Sequence, residues 1–225
     1  NTNTNTLDKR IETNTDLAKQ QACYKLLVDL PLRQEHHDDD SAKRDALERA
    51  GYRKCQLAMA CALQHPTPHD HEPSSTVRLR LLDPARDAPA HDADAGPYVA
   101  LLAQLSTAPP LSPADFAATY DEQHRSGCTH VMVMERLSDG RLVGCATLLR
   151  REARDGDGAR GHLEDVVVDG EARGTGLGRE LVMGVLGLAR SLGCAEVRLN
   201  CKESNEAFYR KCGFVTVGDG YALYL

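Results

Sequence analysis

The sequence has no tryptophan, and aromatics amount to only 4% of its 225 residues. Any core must therefore rest on aliphatic packing rather than on large rings. No uninterrupted apolar run approaches the roughly 18 to 20 residues that a membrane span needs. There is no surplus of positive charge either: 27 Lys and Arg stand against 33 Asp and Glu, a net charge of −6. That balance argues against a general nucleic-acid binder, which gains affinity by neutralising phosphates with clustered bases. The eight cysteines (23, 55, 61, 128, 145, 194, 201, 212) include no CxxC pair, so they read as reduced thiols rather than a disulfide or zinc framework. The opening Asn/Thr repeat lacks the basic and apolar regions of a secretory signal, and Leu223-Tyr224-Leu225 is not a Ser-Lys-Leu address. A cytoplasmic protein with a real hydrophobic core is the expectation.

Composition divides the chain near residue 75. Residues 1–75 are expected to form an extension of low-complexity sequence, two weak helical patterns (Leu17 to Leu30 and Ser41 to Leu63) and a Pro-rich linker. Its His/Asp clusters read as solvated loop residues, and no metal is expected. Residues 76–225 alternate strand and helix signals. Val77 to Leu81 reads as a half-buried strand. Helices are expected from Tyr98 to Leu105 and after Ser112-Pro113, where a cap precedes a first-turn proline. His130 to Glu135 and Leu142 to Leu149 read as strands joined at Ser138-Asp139-Gly140, and Arg150 to Gly161 as a charged loop.

The most informative stretch begins at Leu163. A strand, Leu163 to Val168, breaks at Asp169-Gly170. Arg173-Gly174-Thr175-Gly176-Leu177-Gly178 follows, and then an amphipathic helix with Leu181, Val185, Leu188 and Leu192 on one stripe and a stop at Gly193. Strand, glycine turn and helix in that order make an anion site, because glycines permit close approach and unpaired amides at the helix mouth face negative charge. Arg179-Glu180 after Gly178 does not match the Gly-Lys-Ser/Thr ending of a phosphate-binding loop of nucleoside triphosphatases. The glycines also come late for a dinucleotide fold, whose next strand should end in an acidic residue where this one has Asn200. A purely structural turn is the other reading. Val197 to Cys201 forms a further strand. Ser204-Asn205 opens a short helix through Tyr209, and Phe214 to Val217 and Tyr221 to Leu225 close the chain as strands.

Arg173 to Gly178 resembles the pyrophosphate loop of the GCN5-related N-acetyltransferase superfamily. Gly161-His162-Leu163-Glu164-Asp165-Val166-Val167-Val168 and Asn205 to Phe214 resemble its eukaryotic glucosamine 6-phosphate N-acetyltransferases. The resemblance covers residues 76–225. It implies an α/β (α+β) acetyltransferase fold with a mixed, mostly antiparallel central sheet flanked by helices, a homodimer, and acetyl-CoA as co-substrate. Acetyl would pass to the 2-amino group of D-glucosamine 6-phosphate, on the way to UDP-N-acetylglucosamine. Another amine acceptor, such as a polyamine or a protein amino group, and a non-catalytic acetyl-CoA-binding module are the alternatives.

The same resemblance implies the site. Backbone groups of Val166, Val167 and Val168 would hold the pantetheine, while Arg173, Gly174, Thr175, Gly176, Leu177, Gly178 and Arg179 would cradle the pyrophosphate, with Asn205 beside them. Tyr209 would stabilise or protonate the departing thiolate, since an ordinary phenol keeps its proton at neutral pH. Glu164 would orient the amine and take its proton. Asp165, Asn200 and Ser106 complete the expected acceptor site. Glu164 and Asp165, adjacent on a strand, are expected to face opposite ways. Tyr224 stands where the family has an arginine for the sugar phosphate, which leaves Arg150, Arg151, Arg154 or Arg160 for that task.

Overall fold

The computed structural model describes residues 45 and 49 and the stretches 53–63, 75–91, 96–106, 108–152 and 158–222. Its elements in chain order are β1 (Arg53–Ala62), β2 (Val77–Leu81), α1 (Pro84–Asp87), α2 (Gly96–Leu102), α3 (Pro113–His124), β3 (Thr129–Arg136), β4 (Leu142–Glu152), β5 (Ala159–Val168), α4 (Leu177–Ser191), β6 (Cys194–Cys201), α5 (Glu206–Lys211) and β7 (Val215–Ala222). The chain divides into two units. Of the described residues, the smaller takes those up to Ala58, Cys201–Glu203 and those from Val217; the larger takes Met59–Asn200 and Ser204–Thr216. The functional residues discussed below belong to the larger unit.

In that unit the strand order is β2-β3-β4-β5-β6. The first three pairs are antiparallel and β5–β6 is parallel, as a mixed, mostly antiparallel sheet requires. Beyond β6 the sheet meets the end of β1, where the Leu63 amide donates to the Ala195 carbonyl at 2.8 Å. Alternation along the strands gives the sheet two apolar faces. Gly144, Met132 and Met134 turn towards α4, where Leu181 lies against Gly144. Val131, Val133, Cys145 and Val167 turn the other way and pack with Val99, Leu101 and Phe116 of α2 and α3. Helix α4 buries Leu181, Val182, Val185, Leu186 and Ala189. Each of its large aliphatic chains contributes roughly 1.5–3 kcal/mol of burial. That face is turned about the helix axis from the expected stripe: Val182, Leu186 and Ala189 join Leu181 and Val185, while Leu188 and Leu192 are only half-buried.

Three expectations are corrected. The helix expected over Ser41 to Leu63 gives way to a strand from Arg53: Leu57, Met59, Cys61 and Leu63 are buried at period two. The loop expected from Arg150 to Gly161 is shorter, because β4 runs to Glu152 and β5 begins at Ala159. Their charged residues sit on the strands, with buried Ala159, Gly161 and Leu163 alternating with half-buried Arg160, His162 and Glu164. The two expected C-terminal strands join in one, β7 (Val215–Ala222), and positions 223–225 lie outside the described residues. The expected helix at Leu17 to Leu30 and the linker before Ser75 lie outside the described residues.

Candidate active site

Strand β5 parts from both neighbours at its C-terminal end. On one side, its parallel ladder with β6 runs from Ala159/Cys194 only as far as Leu163/Leu199. Past that point Glu164–Val168 have no partner on β6, so backbone groups on that edge are left for a ligand. On the other side, the ladder with β4 passes from Thr147/Glu164 to Cys145/Val167, so Ala146 opposes two residues, Asp165 and Val166. This is a β-bulge, and Asp165 adopts φ +50° there, outside the usual non-glycine regions.

The bulge breaks the regular alternation on which the expected opposite orientation of the two acids rests. Thr147, the partner of Glu164, lies on the α2/α3 face. The Asp165 charge raises the pKa of Cys145, after burial, and of Tyr98, after burial and the Cys145 charge, so its carboxyl lies within electrostatic reach of groups on that face. The pair also repel one another. Burial, and then the Asp165 charge, push the Glu164 carboxyl up to about 7, opposed by Arg151. Asp165 keeps an open face to solvent, yet the protein around the rest of it raises its carboxyl as well. Two residues before Glu164, His162 brings Nε2 to 3.6 Å from Glu164 Oε1. Burial, with the charges of Arg151 and Arg198, lowers the His162 imidazole to about 4, so it is neutral at pH 7.

The turn after β5 is tied down residue by residue. Asp169 caps a short 3-10 turn (Gly170–Ala172) by accepting from the Glu171 amide at 3.0 Å. Gln104, just past α2, donates to Asp169 at 3.0 Å and accepts from the Gly170 amide at 2.9 Å. Arg173 Nε donates to the Val168 carbonyl at 3.0 Å, and the Thr175 hydroxyl to the Ala172 carbonyl at 2.6 Å. The chain then enters α4 through Gly176, the N-cap, at φ +90° and without a side-chain cap. A β-carbon would be strained at that angle, whereas glycine adopts it freely. The first amides of α4 therefore keep no capping side chain and face open space, since nothing lies within 4 Å of a β-carbon built on Gly174 or Gly176. This geometry suits a diphosphate.

Helix α5 abuts this mouth. A β-carbon on Gly178 would lie 3.4 Å from the Phe208 ring and 3.6 Å from Val168, so α4, α5 and the end of β5 converge there. The next residue, Tyr209, is buried, with its ring edge-on to Phe208 at 4.9 Å and to Phe214 at 5.8 Å. Asn205 caps α5 without a side-chain hydrogen bond. Asn200 is half-buried on β6, one residue past the end of the β5–β6 ladder. Ser106 is exposed two residues beyond Gln104, its amide bonded to the Leu102 carbonyl. Of the basic residues expected to hold phosphate, Arg150 is committed elsewhere, to the Leu192 carbonyl at 2.9 Å and Glu152 at 2.7 Å. Arg160 pairs with Glu196 at 3.2 Å. Arg151 is exposed, and Arg154 lies outside the described residues. Sequence reasoning gave no role to His162, Thr147 or Arg198, whose placement depends on strand register, or to Tyr98 and Gln104, which lie on and just past α2.

The unpaired edge of β5 and the open amides of α4 fit the pantetheine and diphosphate of acetyl-CoA. Comparison with known proteins identifies the family. The family described as Acetyltransferase (GNAT) family matches residues 97–214. A probable glucosamine 6-phosphate N-acetyltransferase of Oryza sativa subsp. japonica is 38% identical over 158 residues, covering 68% of this chain and 90% of that protein. A glucosamine 6-phosphate N-acetyltransferase of Trypanosoma brucei brucei is 40% identical over 139 residues, 61% of this chain and 88% of that protein. The crystal structure of glucosamine-6-phosphate N-acetyltransferase from Arabidopsis thaliana superimposes with a TM-score of 0.54 at 30% identity, covering 62% of this chain and 91% of that one. The chain belongs to the GNAT acetyltransferase family.

Proposed function

We propose that the protein transfers acetyl from acetyl-CoA to the 2-amino group of D-glucosamine 6-phosphate. The observation that carries this reading is a carboxyl, Glu164, raised to about 7 at the point where β5 opens beside the glycine-mouthed helix. A base of that pKa takes a proton from an amine near neutrality and is charged often enough to do so. The relatives named for this activity, alike over most of their length, support the choice of acceptor.

Acetyl-CoA supplies the electrophile, an acetyl thioester. Open amides of Leu177 and Gly178, with Gly174, Thr175 and Gly176, would hold its diphosphate, and Arg173 and Arg179 add positive charge at the mouth. The unpaired edge of Val166–Val168 would line up the pantetheine while Val167 stays packed in the core. Glu164 Oε1 receives the proton of the attacking amine, and Asp165, at the bulge beside it, helps hold the sugar with Asn200 and Ser106. The Tyr209 hydroxyl carries the proton that the leaving sulfur requires. No cysteine is needed as a nucleophile: Cys145, Cys194 and Cys212 are buried, and burial raises each thiol, which opposes thiolate formation. A cytoplasmic homodimer that feeds UDP-N-acetylglucosamine synthesis completes the proposal, on the strength of the resemblance.

Thiol release measured with glucosamine 6-phosphate, glucosamine and a peptide amine tests it. Preferred turnover with the phosphorylated sugar is expected. Preferred turnover of the peptide amine, or coenzyme A binding without turnover, would overturn it.

A further inference from the structure

We propose that Arg151 and Arg198, with His162 between them, hold the 6-phosphate of the acceptor; this deepens the acceptor reading above and rests on it. Strand register places the three on one face. His162 pairs with Arg198 on β6 and with Leu149 on β4, and Arg151, two residues beyond Leu149, pairs with Arg160. Paired residues share a face, and so do residues two apart on a strand. Glu164, Glu196 and Asn200 lie on that face too, while Leu148, Leu163 and Val197 line the buried one.

Among the described residues of this face, one carboxylate oxygen, Glu196 Oε1, accepts from Arg198 Nε at 2.8 Å and lies 3.2 Å from Arg160 Nε, so two guanidiniums meet at one acid. That contact fixes Arg198 through Nε. Its two terminal nitrogens have no hydrogen bond to any described residue, and neither has the Arg151 guanidinium. The positive charges of Arg151 and Arg198 both reach the His162 ring, and that of Arg151 also reaches Glu164. A forked donor fixed at one nitrogen, a second arginine across the strand and a neutral imidazole make a site for a dianion.

Position along β5 gives the site its meaning. Glu164 lies two residues beyond His162, about 6.8 Å by the strand rise, on the scale of one sugar ring. Phosphate held over His162 therefore directs the rest of the hexosamine towards Glu164 and the open end of β5, where the amine is needed. The arrangement also shows how the chain can hold phosphate with a tyrosine at position 224.

Kinetics with two sugars test this. Arg198→Ala and Arg151→Ala are each expected to raise KM for glucosamine 6-phosphate about tenfold or more, the loss of one charge-assisted hydrogen bond. KM for acetyl-CoA, and kcat/KM for unphosphorylated glucosamine measured well above pH 7 where Glu164 is ionised with or without Arg151, should stay within about twofold, and Arg198→Lys should recover part of the loss. Arg151 is exposed, so its removal reads binding rather than folding. An unchanged KM for the phosphorylated sugar in both alanine variants would overturn the subsite, and so would equal losses on the two sugars. Wild-type preference for the phosphorylated sugar that survives both substitutions rejects the subsite alone. Wild type that acetylates neither sugar rejects the acceptor reading as well.

Discussion

Glu164 can act as a base near neutrality because three influences meet on one carboxyl. Burial and the Asp165 charge raise its pKa to about 7, and Arg151 limits the rise. The other groups around it are His162 at 3.6 Å, neutral above about pH 4, and, on α2 and β4, Tyr98 and Thr147. As a base Glu164 works only when ionised, so kcat/KM should climb roughly tenfold per pH unit below 7 and level off above it. In Glu164→Gln that limb should vanish and the plateau fall, a result read from pH-rate profiles. Tyr209 gives a second test. Its ring contacts with Phe208 and Phe214 survive loss of the hydroxyl, so Tyr209→Phe should fold normally. It should lose about 100-fold in kcat while KM for acetyl-CoA stays within about twofold. Equal activity would remove Tyr209 from the mechanism.

At the scale of elements, two features separate binding from stability. Helix α4 presents its mouth through Gly176 at φ +90°. Gly176→Ala should cost about 1 kcal/mol of stability and weaken coenzyme A binding more than that strain alone would, because the loop must shift to relieve it. Thermal melts and binding titrations distinguish the two effects. Far from the site, Glu135 on β3 ties β2 to α1. It accepts from Arg80 at 2.7 Å, Arg78 at 2.9 Å and Arg86 at 3.0 Å, while Arg80 also bridges to Asp87 at 2.7 Å. Hydrogen bonding from Arg80 leads in holding the Glu135 carboxyl down at about 2, from an ordinary 4.5. A depressed carboxyl stabilises the fold fully above pH 4.5, and its contribution fades as pH falls towards 2. Glu135→Gln should therefore lower stability at pH 7 by on the order of 2 kcal/mol, since Arg78 and Arg86 are half-exposed and solvent offsets part of the loss. The deficit should shrink as pH falls below 4.5, as unfolding curves across that range would record.

At the scale of the whole molecule, the order of strands and helices from Val77 to Thr216 was largely legible because each signal there is local. Ser112-Pro113 starts α3, glycines open and follow α4, and alternation marks β2, β3 and β6. The glycine loop could be read for the same reason, since its amides act where the sequence puts them. Elsewhere the pattern hides the structure. Leu57–Leu63 is apolar throughout, so the period of two in β1 is blurred by Ala58, Ala60 and Ala62. The charges of Arg150 to Arg160 resemble a loop, but Arg150, Arg151, Glu152 and Arg160 stand on strands, in register between β4 and β5. The bulge at Asp165 depends on how β4 and β5 align, and no residue within Leu163 to Val168 announces it. Arg198 reads alone as a solvated strand residue; only its register against His162 gives it a role.

The central claim is that the mouth of α4 receives the diphosphate of an acyl carrier. Titration calorimetry of the folded wild-type protein with coenzyme A tests it most directly. One coenzyme A per chain, bound more weakly after Gly176→Ala, is the result this account predicts. No heat of binding, or binding unaffected by that substitution, would contradict it.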